Sequence, residues 1–158
     1  MEKRIQKIII PGRLPGLNEF FSLVHSAENN RHREKTSVDI MNMLKQGEGK
    51  KVEWAIKAAG VQPLRQKCGV VIFWFEKDRR RDQDNILSAK KIIMDALKKS
   101  KVLGDDGWKY VGNGWADDVF VDKNNPRIEV FLLEGYKVGI DYDSINGLVA
   151  NVPRGQFS

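Results

Sequence analysis

An uninterrupted apolar run is the feature of this sequence that most limits its fold. Residues 70–75 are six consecutive β-branched or aromatic residues, and all ten residues of the following segment, 76–85, are charged or polar. Such a run is typical of a central strand that is covered on both faces of its sheet. We therefore expect Trp74 to lie in the core, together with Cys68 just before the run. The sequence predicts a charged segment at the end of a central strand.

The other predicted elements alternate between strands and helices. The predicted strands cover residues 4–10, 69–75, 108–121 (one or two strands, with a bend at 112–114) and 127–133, and the predicted helices cover 19–46 with an interruption, 52–59 and 86–100. Glycines at 47 and 49 are expected to separate the first helix from the second. This order predicts an α+β fold, a small mixed or antiparallel sheet of about four strands with helices packed on it.

Length and composition indicate one domain with its own core. The chain has 158 residues, of which 41% are hydrophobic, and one domain of this size is ordinary. We expect the folded domain to cover residues 1–134 and the remainder, 135–158, to form a tail without a predicted element. No uncharged apolar run approaches the roughly 20 residues of a membrane span. The single cysteine excludes an internal disulfide and a cysteine-rich zinc site, so we expect a cytoplasmic protein.

Two pairs of carboxylates stand at the ends of the predicted helix 86–100. Asp82 and Asp84 precede it and point the same way if the chain is still extended there, and Asp105 and Asp106 follow it. The two pairs meet only if the chain turns back after the helix, which is roughly 22 Å long. Clustered aspartate oxygens are the ligands that Mg²⁺ prefers.

The basic residues around these carboxylates favour a phosphodiester substrate. Arg79, Arg80 and Arg81 directly precede Asp82, and Lys90 and Lys91 lie on the following helix, in a chain whose net charge is +6. A bound Mg²⁺ activates water and stabilises a leaving oxygen, while lysine and arginine hold the remaining phosphates. A metal-dependent nuclease needs both kinds of group in one place.

The same residues also have structural interpretations. Asp84 or Asn85 is a suitable cap for the helix, and Asp105–Asp106 is typical of a turn. Runs of arginine are most often solvated. A third acidic pair, Asp117–Asp118, is expected to be exposed on a strand.

The order of these motifs resembles the RusA-type Holliday junction resolvases. The resemblance consists of Asp82-x-Asp84-Asn85, a helix with lysine and then Asp95-Ala96-Leu97, and Asp105–Asp106 after a turn that contains glycine. An early Pro15-x-x-Asn18 and the strand after Asn125–Pro126 are similar to the same family. The match covers roughly residues 5–133, as expected for a single domain.

The resemblance implies a small homodimeric endonuclease that binds four-way junction DNA and makes paired symmetric nicks with Mg²⁺. Asp82, Asp84 and Asp106 would be its catalytic, metal-binding carboxylates. The family lysine corresponds to Lys91 when it is counted back from Asp95. The interval after Asn85 is a few residues longer than in the family, so that counting forward reaches Ser88. The assignment therefore lies between Lys90 and Lys91.

Three other functions are compatible with the sequence. A protein that binds branched DNA without catalysis would use the acidic residues structurally. A Mg²⁺ nuclease of the same chemistry would act on a flap, another branched DNA or RNA. A phosphatase of small molecules is the least favoured, because it does not need the excess of basic residues.

Overall fold

The computed structural model describes residues 2–28, 37–104 and 107–139. These contain four strands and five helices. In chain order they are β1 (Arg4–Pro11), α1 (Leu17–Glu28), α2 (Ser37–Ala58), β2 (Cys68–Glu76), α3 (Gln83–Leu87), α4 (Lys90–Lys99), α5 (Gly107–Tyr110), β3 (Trp115–Val121) and β4 (Arg127–Glu134).

The strands form one mixed sheet in the order β1-β4-β2-β3. β4 pairs antiparallel with both β1 and β2, whereas β3 runs parallel to β2. A parallel neighbour requires a crossover, and the segment from α3 to α5 provides it. The α+β class and the small mixed sheet predicted from the sequence are confirmed. β2 is an inner strand, as expected.

One face of the sheet carries most of the core. Along β2, Val70, Ile72 and Trp74 are buried against apolar side chains of the helices, while Phe73 and Phe75 on the opposite face are only half-buried. The burial of Trp74 and Cys68 is confirmed. The prediction that β2 is covered on both faces is wrong within the described residues. Aromatic and β-branched side chains indicate a strand without showing how many layers pack on it.

Helix α2 continues through the glycines that were expected to end it. Gly47 and Gly49 both lie inside Ser37–Ala58. The apolar residues on either side of the glycines are buried in two clusters: Ile40 packs with Val24 of α1, whereas Val52 and Ile56 belong to the main core. Tertiary packing on both sides outweighs the roughly 1 kcal/mol that each glycine costs a helix.

The predicted helix 86–100 is two helices, and the first begins earlier than expected. α3 starts at Gln83, and the break before α4 falls at Ser88 and Ala89. The Ser88 hydroxyl donates to the carbonyl oxygen of Asn85 (2.5 Å) and accepts from the backbone N–H of Leu17 (3.0 Å). The bond to Asn85 competes with regular helix geometry, and the bond from Leu17, at the start of α1, holds Ser88 at the interruption.

The segment before β3 begins as a helical turn, where the sequence predicted one or two strands. α5 carries the exposed Trp108, and β3 starts only after the predicted bend at Gly112–Gly114. The start of the predicted tail packs back here, because the N–H of Val138 donates to the carbonyl oxygen of Asn113 (2.7 Å). Residues 140–158 of that tail lie outside the described residues. Within the described ranges, no helix has the length and apolar character that crossing a membrane requires.

Candidate active site

A buried arginine holds the turn that leads from β2 to α3. The guanidinium of Arg81 pairs with Glu76 at the end of β2 and with Glu19 on α1 (2.7 Å), and it donates to the carbonyl oxygen of Leu14 (2.9 Å). Only 9% of the Arg81 side chain is exposed. Buried ion pairs of this kind hold their partners firmly when further hydrogen bonds satisfy them. Arg81 therefore fixes the segment that carries Asp82.

A second set of contacts joins α3 to the start of α1. Asn85 Oδ1 accepts from the N–H of Asn18 (3.0 Å), and Asn85 Nδ2 donates to Glu19 Oε2 (2.7 Å). Burial alone would raise the pKa of Glu19, but the hydrogen bonds from Arg81 and Asn85 outweigh it and hold that pKa below its ordinary value. Asn85, expected as a cap for its own helix, satisfies an N–H group at the start of α1 instead.

Asp82 and Asp84 stand on this firmly held turn with their carboxylates toward solvent. Asp82 occupies the cap position of α3 but makes no capping hydrogen bond with its side chain, and Asp84 lies in the first helical turn. Both residues are exposed. Neither carboxylate has a hydrogen bond or ion pair with another residue of the described ranges. Their oxygens are therefore open to a ligand from solvent.

Asp82 lies between two grooves that are both bordered by arginine. One, of about 650 Å³, is bounded by Arg80 and Arg81 on the side of α3 and by Glu19 and Glu48 on the helices opposite. The other, of about 620 Å³, is bounded by Arg79 and by the end of β3, from Val119 to Val121. An extended, charged ligand that crossed Asp82 would meet arginine on either side of it.

The three arginines before α3 occupy different environments. Arg79 and Arg80 are exposed, and Arg80 lies 3.5 Å from Asp78. Arg81 had been expected among the DNA-binding residues. Its guanidinium is instead occupied by two carboxylates and a carbonyl oxygen, so we reassign it to holding the turn.

The two candidate lysines of α4 have different partners and different exposure. Lys91 is 70% exposed and pairs with Asp95 one turn later (2.7 Å). Lys90 is 28% exposed and pairs with Asp117 on β3. The two aspartates of β3 therefore differ in exposure. Asp118 is exposed as expected, but the side chain of Asp117 is only 14% exposed. The burial of Asp117 depends on a residue of α4, so it could not be predicted from the sequence of β3 alone.

The second predicted acidic pair, Asp105 and Asp106, falls outside the described residues. Within the described ranges, no three histidine, cysteine, aspartate or glutamate side chains are grouped so that they could hold a metal ion. The structure thus brings Asp82 and Asp84 onto one turn, and the predicted third ligand, Asp106, stays a prediction.

Two acidic residues near Asp82 were not predicted from the sequence. Glu19 reaches Arg81 and Asn85 from α1. Glu48, on α2, lines the groove beside Asp82, and its buried Oε2 atom has no hydrogen-bond partner among the described residues. No local signal marks either residue, since both are single glutamates on helices. Only the packing of α1 and α2 beside the turn brings them there.

Comparison with known proteins provides no family assignment. No protein-family model matches the chain, and a search of curated proteins finds no match.

Proposed function

We propose that this protein is a Mg²⁺-dependent endonuclease that resolves four-way DNA junctions by paired, symmetric nicks. One observation carries the proposal. Asp82 and Asp84 are exposed and unpaired within the described residues, on a turn that Arg81 and Asn85 hold in place. The order of motifs shared with the RusA-type resolvases supports the choice of substrate.

The donor set of this turn fits a hard divalent cation. Carboxylate oxygens that lack an internal partner are the ligands that Mg²⁺ takes, together with water and phosphate oxygens. Asp82 and Asp84 would hold the ion, with Asp106 as the third carboxylate that the resemblance implies. When bound, Mg²⁺ acts as a Lewis acid and supplies an activated water at neutral pH.

Basic residues of the chain would orient the DNA and compensate for its negative charge. Exposed Arg79 and Arg80 stand on the two sides of Asp82, where they contact phosphates and set the path of the strand. Lys90 or Lys91 steadies the phosphate at the cleavage position. Arg81 keeps Asp82 in place and stays bound to its carboxylates throughout.

Paired nicking requires two equivalent sites, and we propose a homodimer that acts in the cytoplasm. A four-way junction has approximate two-fold symmetry, so a two-fold dimer presents the same site to two equivalent strands. Recognition would then depend on the branched shape and on phosphate contacts rather than on base sequence.

The proposal is tested with an end-labelled four-way junction and the variant Asp84→Asn. We expect Mg²⁺-dependent symmetric nicks by the wild-type chain, a loss of at least about a hundredfold in the variant, and similar junction binding by both. Glu2→Gln, which neutralises an exposed carboxylate away from the turn, is the matched control and should cleave normally. Equal cleavage by Asp84→Asn and wild type would disprove the assignment.

Comparing a junction, a flap and RNA in the same assay distinguishes the alternative functions. Tight junction binding with no Mg²⁺-dependent product would indicate a protein that binds branched DNA without cleaving it. Faster cleavage of a flap or of RNA than of the junction would keep the chemistry and change the substrate. Each strand of the junction should be labelled in turn, so that paired nicks are distinguished from a single one.

A further inference from the structure

A partly buried carboxylate on β3 holds one of the two candidate lysines. Asp117 Oδ1 accepts from the indole N–H of Trp74 (3.0 Å), and Asp117 Oδ2 pairs with the ammonium of Lys90. We propose that Asp117 is a positioning residue that holds Lys90, rather than Lys91, for contact with the DNA phosphate at the cleavage site. This inference rests on the function proposed above.

The carboxylate of Asp117 has little freedom to move. Trp74, near the end of β2, is 1% exposed, so its indole nitrogen is a fixed donor. A carboxylate with so little exposure is costly unless charged or polar partners compensate for it, and Trp74 and Lys90 are those partners. The ring of Trp115 lies 5.3 Å from the Lys90 ammonium and limits it on another side.

The position of Asp117 places Lys90 near the groove beside Asp82. Alternate residues of a strand face the same way, so Asp117 and Val119 share one face of β3, about 7 Å apart. Val119 lines the same groove as Asp82 and Ile86. The carboxylate that holds the Lys90 ammonium is therefore two residues along β3 from the lining of that groove.

Lys91 faces another part of the molecule. It borders a small cavity of about 100 Å³ between α4 and the first two helices, together with Phe20 and Lys45. Its ion pair with Asp95 lies within α4 and joins it to no other element. Exposed pairs of this kind contribute little and fix no direction.

The arrangement leaves Lys90 able to bind an anion. An ammonium has three N–H donors, and Asp117 is the acidic partner that the described residues provide for it. The remaining donors can reach a phosphate oxygen while Asp117 keeps the chain of Lys90 in one conformation. Holding a charged group in place before the substrate arrives is what makes such a contact effective in catalysis.

The test is a double-mutant cycle on junction cleavage. Lys90→Ala should lower the single-turnover rate about a hundredfold, and Asp117→Asn about tenfold, with junction affinity changed by less than about threefold. Once Lys90 is alanine, adding Asp117→Asn should cost nothing further, because a positioning residue acts only through its partner. Asp117→Glu, which keeps the charge, should recover part of the rate. Lys98→Ala, on the same helix, is the control and should behave as wild type.

Two results would overturn the inference. In one, Asp117→Asn lowers the rate equally with and without Lys90, which would make its role a general structural one. In the other, Lys91→Ala shows the large loss and Lys90→Ala does not. If Asp117→Asn fails to fold, Trp74→Phe replaces it in the same cycle, since it removes the indole N–H and keeps a ring.

Cleavage by the wild-type chain distinguishes a failure of this inference from a failure of the proposed function. If it cleaves no branched DNA, the proposed function fails and the inference fails with it. If it cleaves junctions while Lys90→Ala is unaffected, only the inference fails.

Discussion

Single buried charges join parts of the chain that are far apart in sequence. Arg81 connects the end of β2 to the start of α1. At the opposite end of β2, Arg4 pairs with Glu134, which is 1% exposed and also accepts from the backbone N–H of Arg65 (2.7 Å). Removing one member of such a group leaves an uncompensated charge in the interior. These residues therefore contribute to stability as well as to the geometry of the site.

Glu134 should make the stability of the fold sensitive to acid. Burial alone would raise its pKa, but the hydrogen bonds from Arg4 and Arg65 outweigh it and hold the pKa below its ordinary value. A lowered pKa contributes stability above the unfolded pKa of about 4, and this contribution is lost as the pH falls through the folded value. We expect Glu134→Gln to lose about 2 kcal/mol at pH 7 and to show a flatter dependence of melting temperature on pH between 5 and 3.

Thermal melts followed by circular dichroism check this prediction. Glu2→Gln, which neutralises an exposed carboxylate, is the control and should follow the wild-type curve. Parallel curves for Glu134→Gln and wild type, displaced by a constant amount, would contradict the assignment of the pH dependence to Glu134.

At the scale of elements, the role of a glycine depends on whether another element lies against it. A Cβ at Gly47 or Gly49 on α2 would meet nothing within 4 Å. A Cβ at Gly16, just before α1, would lie 2.1 Å from the carbonyl oxygen of Asn85. The glycines of α2 only weaken their helix, whereas Gly16 allows α1 and α3 to meet beside the candidate active site.

Alanine at these positions should therefore change stability in opposite directions. We expect Gly47→Ala and Gly49→Ala each to raise the free energy of unfolding by about 1 kcal/mol, the difference in helix propensity. Gly16→Ala should lower it, because the backbone of Asn85 would have to move. Urea denaturation measures all three. A stabilised Gly16→Ala would show that the contact with Asn85 is not a constraint.

At the scale of the whole molecule, the sheet has one face that the described residues leave partly open. Phe73 lies 5.6 Å from Phe120 and 5.5 Å from Phe131, ring centre to ring centre, on the side away from the helices. Ile5 and Ile9 on β1 extend this face and are exposed. Neighbouring exposed apolar side chains bordered by polar ones are typical of an interaction surface.

We predict that the proposed homodimer forms through this open face. Ile9→Asp would place a charge there, at a position exposed in the single chain, so it should disrupt the dimer without unfolding the subunit. Val38→Asp, at an exposed position of α2, is the control. Sedimentation equilibrium should give a dimer for wild type and control and a monomer for Ile9→Asp. An unchanged dimer in Ile9→Asp would place the contact elsewhere.

Local patterns determined much of this protein on their own. The apolar run 70–75, the strands at either end of the domain and the charged turn at Asp82 follow from the residues themselves, because side-chain periodicity and turn chemistry act over a few residues. Tertiary packing decided the rest. It continued α2 through two glycines, divided the helix after Asp84 at Ser88, turned Arg81 inward and paired Lys90 with Asp117. These outcomes depend on contacts between residues tens of positions apart, and no local pattern records which distant side chain will satisfy a charge or cover a helix face.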